Sequence, residues 1–217
     1  MMRLASVNLG RAKELVIGGR VTQTGIFKRP VLNSVHVGRL GLQGDTIVDT
    51  KVHGGADQAV YVYGSEDYDW WSFEVKRMLE PGTFGENLTI DGIESADFAV
   101  GDRFAIGDTV VIEVTAPRTP CDTLGQRMGN LQFVKRFRDG ERPGLYCRVV
   151  VEGEVRIGDA VTHEPYAGER VTMLELFREH YEKQKSEATL RRFLTAPLAE
   201  RIRNEKLEQL QRLIAPS

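Results

Sequence analysis

The chain has 217 residues, which corresponds to one or two domains, and its 41% hydrophobic and 28% charged residues exclude a chain that is disordered or collagenous throughout. Its 29 lysines and arginines against 31 aspartates and glutamates leave a net charge of −2, so no overall field attracts nucleic acid. Because we find no apolar run of membrane-spanning length, no secretory signal and only two cysteines, we expect a soluble cytoplasmic protein that binds neither nucleic acid nor membrane.

Short strands and turns are predicted for the first three quarters of the chain. Apolar and polar residues alternate in four segments, 57–63, 103–106, 109–114 and 144–151. Gly-Asp pairs that favour turns occur at 44–45, 101–102, 107–108 and 158–159. Many short strands at this spacing favour a β-barrel or sandwich over a βαβ sheet.

Two helices are predicted between these strands. The first begins near Ser65, a plausible N-cap. It carries its apolar stripe on Tyr68, Trp71, Val75 and Leu79. The second begins just after Cys121 and carries Leu124, Met128, Leu131 and Phe137.

The composition changes near Gly168, the last of the 22 glycines, beyond which Leu, Glu, Arg and Lys dominate. We therefore predict a β-rich domain over residues 1–167 and a three-helix domain over 168–217. The helix starts are indicated by Thr172 with Glu175, by Ser186, and by Thr195 with Pro197. Since about fifty residues of short helix bury little surface alone, this unit should pack on the barrel or on a partner, and a homodimer is one such arrangement.

Cys121 is the leading chemical candidate. It follows the segment Ala116–Pro120, in which two prolines make a stiff connector between a strand and a helix. A helix start and the neighbouring Arg118 both favour thiolate over thiol, the form that binds soft metals or reacts with sulfur. The alternative is a small buried cysteine, which is how we interpret Cys147 in its apolar strand.

A second group lies in two glycine-rich segments, Gly41–Asp45 and His53–Gln58. Asp45, Asp49 and His53 allow a metal cluster, but their spacing matches no standard zinc pattern. A pair of hairpin turns is therefore the preferred interpretation of these segments.

Polar and cationic residues complete the candidates. Asn87 follows Gly85 at the start of a predicted strand, where it either binds a ligand or closes a turn. Lys28 and Arg29 precede Pro30 and form either an anion site or a solvated turn. Arg148, on a strand of a predicted barrel, must be paired or must face an anion.

Together these segments resemble the MOSC domain, the molybdenum-cofactor sulfurase C-terminal family, and in particular its YiiM-like members with a C-terminal three-helix domain. The resemblance covers nearly the whole chain. It is carried by Lys28, Pro30-Val31, Gly41–Asp45, His53–Tyr63, Phe84–Ile90 and Ala116–Cys121.

The resemblance implies a mainly β fold with helices, a MOSC-type β-barrel that holds the molybdenum cofactor, molybdopterin. Cys121 would be the thiolate on the metal, and Asp45 and His53 would be proton donors. The residues that would contact the cofactor or the adjoining pocket are Lys28, Gln58, Asn87, Arg118 and Arg148. The implied activity is reduction of N-hydroxylated compounds, such as hydroxylaminopurine-type base analogues, to amines.

No Walker loop, dinucleotide fingerprint or paired Cys-x-x-Cys is present, so electrons should come from a separate reductase, a flavoprotein. Two alternative functions remain open. The first is a sulfur carrier that uses a Cys121 persulfide, and the lack of a fused pyridoxal-phosphate desulfurase domain makes this function less favourable. The second is a non-catalytic cofactor-binding protein.

Overall fold

The computed structural model describes residues 1–48 and 54–215. The strands within these ranges are β1 Arg3–Leu9, β2 Lys13–Ile17, β3 Arg20–Thr24, β4 Arg29–Val31, β5 Val35–Gly38, β6 Gly41–Leu42, β7 Val60–Gly64, β8 Leu88–Asp91, β9 Arg103–Ile106, β10 Val110–Ala116, β11 Leu145–Val151, β12 Gly153–Val155 and β13 Val161–Glu164. The helices are α1 Ser65–Val75, α2 Asp122–Arg127, α3 Phe133–Gly140, α4 Met173–Tyr181, α5 Glu187–Phe193 and α6 Glu200–Ile214.

The main sheet closes into a barrel. Its strand order is β13-β9-β10-β11-β7-β8-β1-β4, antiparallel except for the parallel pair β7 and β8. Two partners contact one edge of β1. The second half of β1 pairs with β4, and Arg3 at its start forms a β-bridge to Ala160 beside β13. The amide of Val161 donates to the carbonyl of Met2 at 3.1 Å, so backbone hydrogen bonds continue around the ring. This confirms the β-barrel with helices that the sequence predicts.

The strand patterns are confirmed with one shift. β9, β10 and β11 occupy the expected segments, whereas β7 begins at Val60 instead of Asp57. Asp57 lies in a short 3-10 turn, where its Oδ2 accepts a hydrogen bond from the amide of Glu200 at 2.7 Å. The Gly-Asp turns are also confirmed, with positive φ at Gly44 (85°), Gly101 (88°), Gly107 (59°) and Gly158 (93°).

The first helix differs from its prediction at both ends. Its N-cap is Gly64, so Ser65 is the first helical residue and its hydroxyl donates to Asp91 instead of capping. The helix ends at Val75, because Lys76 adopts the left-handed conformation with φ 55°. Leu79 is buried but lies beyond the helix.

The predicted second helix is two helices. α2 follows Cys121 as expected, but the chain turns at Gly129, whose φ is 70°. Leu131 is half exposed in the connection, whereas Phe137 is buried on α3. Apolar residues at helical spacing across 124–137 therefore predicted one continuous helix where two are present. The positive φ of Gly129 allows the turn between them.

The three C-terminal helices pack on the barrel. The amide of Met173 donates to Phe98 O at 2.8 Å, and the amide of Ala199 donates to Thr115 O at 3.2 Å. The buried side chains Phe177 and Leu198 belong to the same apolar core as the strands. Contact with the barrel is therefore the arrangement found, and the division at residue 167 stays a prediction.

The starts of these helices were predicted correctly in two of three cases. Thr172 and Glu175 form the capping box, and Ser186 caps α5 by accepting from the amide of Thr189 at 3.3 Å. The third was wrong: α6 begins at Glu200, and Thr195 donates to Arg192 O instead of capping α6. Among the helices described, none is long and apolar enough to cross a lipid bilayer.

We predict that Thr172→Ala lowers the free energy of unfolding by about 1 kcal/mol, because it removes the side-chain cap of α4. The measurement is urea unfolding followed by circular dichroism. Thr195→Ala, at a position that caps no helix described here, is the control and should cost clearly less. Equal losses in the two variants would contradict the capping assignment.

Candidate active site

A cavity of about 180 Å³ opens beside the N-terminus of α2, and we call it the Cys121 cavity. It lies where the β2–β3 hairpin and the loop after it approach β7, β11 and the connection from β10 to α2. The chemically important residues in its wall are Lys28, Gln58, Tyr61, Asn87, Arg118, Cys121 and Tyr146. Four of the predicted cofactor residues and the predicted metal ligand therefore surround one cavity.

Cys121 is partly buried and occupies the N-cap position of α2. Its backbone is extended (φ −134°, ψ 172°), and its carbonyl accepts the amides of Leu124 at 2.9 Å and Gly125 at 3.2 Å. The other cysteine, Cys147, is fully buried in β11, and burial raises the pKa of its thiol far above the ordinary value. Of the two cysteines, Cys121 is therefore the one whose thiol can react with a molecule in the cavity.

Arg118 is the dominant charge of the cavity wall, although only 5% of it is exposed. Its Nη1 donates to the carbonyl of Phe84, and its guanidinium carbon lies 5.1 Å from the centre of the Tyr61 ring. Within the described residues no carboxylate lies within 4.0 Å of it, and its Nε is buried without a hydrogen-bond partner. Such a group is suited to an anion in the cavity.

The pKa of Arg118 is raised above its ordinary value, although the group is buried. Burial acts against the charge and is the largest single influence on that pKa. The interactions with Tyr61, Tyr146 and Cys121 together outweigh it. Arg118 and the Cys121 sulfur are therefore close enough to influence each other electrostatically, as the sequence predicts.

Lys28 and Asn87 also line the cavity and are held by Asp45 from behind. Lys28 Nζ forms a buried ion pair with Asp45 Oδ2, and Asn87 Nδ2 donates to the same oxygen at 2.9 Å. The amide of Gly10 donates to the other oxygen at 2.7 Å. Burial lowers the pKa of Lys28, and the interaction with Asp45 partly offsets this effect.

This geometry changes the role of Asp45. Asp45 was expected to be a proton donor, but its carboxylate accepts three hydrogen bonds and does not line the cavity. It therefore positions Lys28 and Asn87. The other predicted proton donor, His53, and Asp49 lie outside the described residues. Gln58 is buried at the end of the 3-10 turn and contributes to the cavity wall.

Arg148 was predicted to contact the cofactor, and the structure does not bring it to the cavity. Its Nε lies 2.9 Å from Asp57 Oδ1, and its Nη1 lies 3.3 Å from Glu113 Oε1. Its Nη2 donates to the carbonyls of Pro197 and Leu198 at 3.2 and 3.1 Å. We therefore remove Arg148 from the cofactor candidates, because its donors are used to join the barrel to the C-terminal helices.

Sequence reasoning missed the two tyrosines of the cavity wall. Tyr61 and Tyr146 are register partners on β7 and β11, and their ring centres lie 4.9 Å apart. Gly85 was given no role of its own in the sequence. At its φ of 77° an added Cβ would lie 2.8 Å from the Ile26 side chain and 3.6 Å from Arg118 Nη1. The glycine therefore leaves room for Ile26 beside the cavity, a close approach that only the packing reveals.

Glu86 was also missed, although it stands beside Asn87. It is fully buried, and its Oε1 accepts from Gly82 N at 2.5 Å, Tyr68 Oη at 2.7 Å and Thr89 Oγ1 at 2.9 Å. Burial raises the pKa of this carboxyl. The only available signal was a charged residue between Gly85 and Asn87, which by itself does not reveal burial.

The residues fit a cofactor that is anionic and brings its own soft metal. The described residues contain no group of three or more His, Cys, Asp and Glu that could hold a metal ion by themselves. They do provide the thiol of Cys121, which is partly buried, and the charge of Arg118, which has no carboxylate within 4.0 Å among the described residues. Thiolate is a soft ligand, and guanidinium binds phosphate well.

The fold and the cavity are those of a β-barrel protein with a cationic, thiol-containing binding site. Residues 49–162 match the MOSC domain, and the chain belongs to that family. It is 33% identical to the uncharacterized protein YflK of Bacillus subtilis strain 168, over 96% of this chain and 95% of that protein.

Two further similarities extend this relationship. The crystal structure of YiiM from Geobacillus stearothermophilus superimposes with a TM-score of 0.80 at 26% identity, covering 97% of this chain and all of that one. A protein named "Reductase" from Gibberella moniliformis is 31% identical over 75% of this chain, but the match covers only 30% of that longer protein. The expectation of a YiiM-like MOSC protein is thus confirmed.

We predict that Arg148→Met lowers the free energy of unfolding by about 2 kcal/mol, because Asp57 and Glu113 lose a charged hydrogen-bond partner. Urea unfolding of the full chain measures this loss. Cofactor content should not change if the protein remains folded, since Arg148 lies outside the cavity. A fall in cofactor content with unchanged stability would contradict the conclusion that Arg148 does not contact the cofactor.

We predict the opposite pattern for Arg118→Met. Loss of the hydrogen bond to Phe84 O is offset by removal of a buried charge without a carboxylate partner in the described structure, so stability should change by less than about 1 kcal/mol. Molybdenum content after expression should fall sharply. Full molybdenum content in this variant would show that Arg118 does not bind the cofactor.

Proposed function

We propose that this protein reduces N-hydroxylated compounds to amines, with a molybdenum cofactor whose metal is bound by Cys121. Membership of the MOSC family and the similarity to a protein named "Reductase" support an enzyme of this kind. The substrate class was inferred from the resemblance to YiiM-like proteins. We also propose that the protein acts in the cytoplasm.

The observation that carries the proposal is the pairing of Cys121 with Arg118 in one cavity. Cys121 lines the cavity and is only partly buried, whereas the Arg118 guanidinium is buried and has no carboxylate within 4.0 Å in the described part of the chain. A protein that serves only as a scaffold gains nothing from such a charge, because burying it costs free energy. A cofactor phosphate would supply the missing negative charge.

The reaction converts R–NHOH, two electrons and two protons into R–NH2 and water. When bound, the cofactor supplies the redox chemistry that breaks the N–O bond. Cys121 would hold the metal, and Arg118 and Lys28 would bind anionic groups of the cofactor. Asn87 would donate or accept a hydrogen bond at the same edge, in an orientation that Asp45 and the Tyr61 amide maintain.

The protons must come from groups at the cavity. Lys28 lines the wall, and its lowered pKa makes its ammonium a better acid than an ordinary lysine. His53 keeps its predicted role as a donor. The buried walls of Tyr61 and Tyr146 limit the access of water to the reacting bond.

Electrons must come from a separate protein, because the sequence has no motif for a flavin, nicotinamide or iron–sulfur group. We propose a flavoprotein reductase. Its reduced flavin is oxidised as the N-hydroxylated substrate is reduced, so the two-electron balance closes.

We predict that Cys121→Ser abolishes both molybdenum retention and N–OH reduction. The substrate is an N-hydroxylated purine, dithionite-reduced methyl viologen supplies electrons, and elemental analysis measures the metal. Cys147→Ala is the matched control, because it removes the sulfur of the core without touching the cavity wall. This control should keep its metal and most of its turnover.

The same experiment separates the alternatives. Turnover by Cys121→Ser at the wild-type rate would refute the assignment of Cys121 as the metal ligand. A persulfide on Cys121 in protein that never contains molybdenum would favour a sulfur carrier. Bound cofactor without turnover of any N-hydroxylated substrate would favour a binding protein.

A further inference from the structure

The end of α1 and the residues after it present exposed apolar side chains in an ordered segment. Phe73 is 81% exposed and Met78 is 84% exposed. The segment is held by the amide of Arg77, which donates to Ser72 O at 3.1 Å, and by the amide of Leu79, which donates to Ser72 Oγ at the same distance. Exposed phenylalanine and methionine on ordered backbone are typical of binding surfaces.

Cations accompany these apolar residues. Arg77, which directly precedes Met78, and Arg29 are exposed, and both are close enough to Arg127 to lower its pKa. Of the carboxylates in the described chain, none lies within 4.0 Å of any of these three arginines. We call Phe73, Arg77, Met78, Arg127 and Arg29 together the α1 face.

Arg127 is fixed at the inner edge of this face. Its guanidinium carbon lies 4.9 Å from the centre of the Phe27 ring, and Lys13 Nζ lies 4.6 Å from the same ring. Burial lowers the pKa of Arg127, and Arg29 and Arg77 lower it further against the opposing effects of Tyr68 and Glu86. Mutual repulsion of this kind is relieved when an acidic surface binds.

The α1 face is close to the Cys121 cavity. Cys121 precedes α2 and Arg127 ends it, so the two residues are about 9 Å apart along the helix axis at the usual rise per residue. Arg29 follows Lys28, which lines the cavity wall. A protein bound to the α1 face would therefore lie near the proposed metal site.

We propose that the α1 face binds an acidic electron-carrier protein, which delivers electrons to the Cys121 cavity. This inference rests on the proposed function. Small interfaces with charge complementarity suit transient redox encounters, and the uncompensated arginines supply the positive side of such an interface. Nucleic acid is the less favoured occupant, because the chain has a net charge of −2 and this face includes exposed Phe73 and Met78.

The test measures binding of flavodoxin, an acidic FMN carrier, to the full chain by isothermal titration calorimetry at low ionic strength. Arg77→Glu should weaken binding about tenfold, and the effect should shrink as salt is raised, because exposed charges are screened. Lys183→Glu is the matched control: Lys183 is also exposed and forms no ion pair with a described residue, but it lies between α4 and α5. Its effect should be less than about twofold.

An apolar pair of variants tests the other half of the surface. Met78→Ser should also weaken flavodoxin binding, whereas Leu213→Ser, at a half-exposed leucine on α6, should not. Equal affinities for Arg77→Glu and Lys183→Glu, or wild-type chain that does not bind flavodoxin, would overturn the proposal. Tighter binding of a short single-stranded oligonucleotide than of flavodoxin would assign the face to nucleic acid and also overturn it.

Turnover separates this proposal from the proposed function. With dithionite-reduced methyl viologen, Arg77→Glu should reduce an N-hydroxylated purine at the wild-type rate, whereas with reduced flavodoxin its rate should fall. If the wild-type protein shows no turnover with either donor, the proposed function fails. The binding comparison then still decides whether the α1 face recognises an acidic protein.

Discussion

What the Cys121 cavity can bind depends on one buried positive charge, that of Arg118. Its guanidinium is held by the carbonyl of Phe84 and the ring of Tyr61, and no carboxylate of the described chain is within 4.0 Å. A charge in this position costs free energy unless something negative approaches it. Cys121 lines the same cavity, so its thiol and the Arg118 guanidinium together define what the cavity can bind.

The barrel provides the rigidity that keeps this charge in place. Tyr61 and Tyr146 face each other across β7 and β11 because the register of those strands pairs them. Gly85 lets the backbone pass close to Ile26, another residue of the cavity wall, where an added Cβ would lie 2.8 Å from the Ile26 side chain. Arg148 differs from Arg118, because it pairs with two carboxylates, those of Asp57 and Glu113, and links the barrel to the C-terminal helices.

The C-terminal helices also contribute to the cavity, although none of their residues lines it. Asp57 is the connection. Its Oδ2 accepts from Glu200 at the start of α6, its Oδ1 pairs with Arg148, and its carbonyl accepts from Thr115 at 2.6 Å. Because Gln58 follows Asp57 directly, docking of the helices holds a turn that forms part of the cavity wall.

Patterns along the chain predicted the short strands, the turns at Gly-Asp pairs, the capping box at Thr172 and the position of Cys121 before a helix, because each of these depends on neighbouring residues. The β-barrel itself was expected from the resemblance to the MOSC domain, because barrel closure depends on strands that are far apart in sequence. Tertiary structure decided the roles of Arg118 and Arg148. Both are arginines near or on strands, and only long-range packing determines that Asp57 and Glu113 reach one of them and no described carboxylate reaches the other. Charge compensation is a property of the fold, so local sequence patterns cannot reveal it.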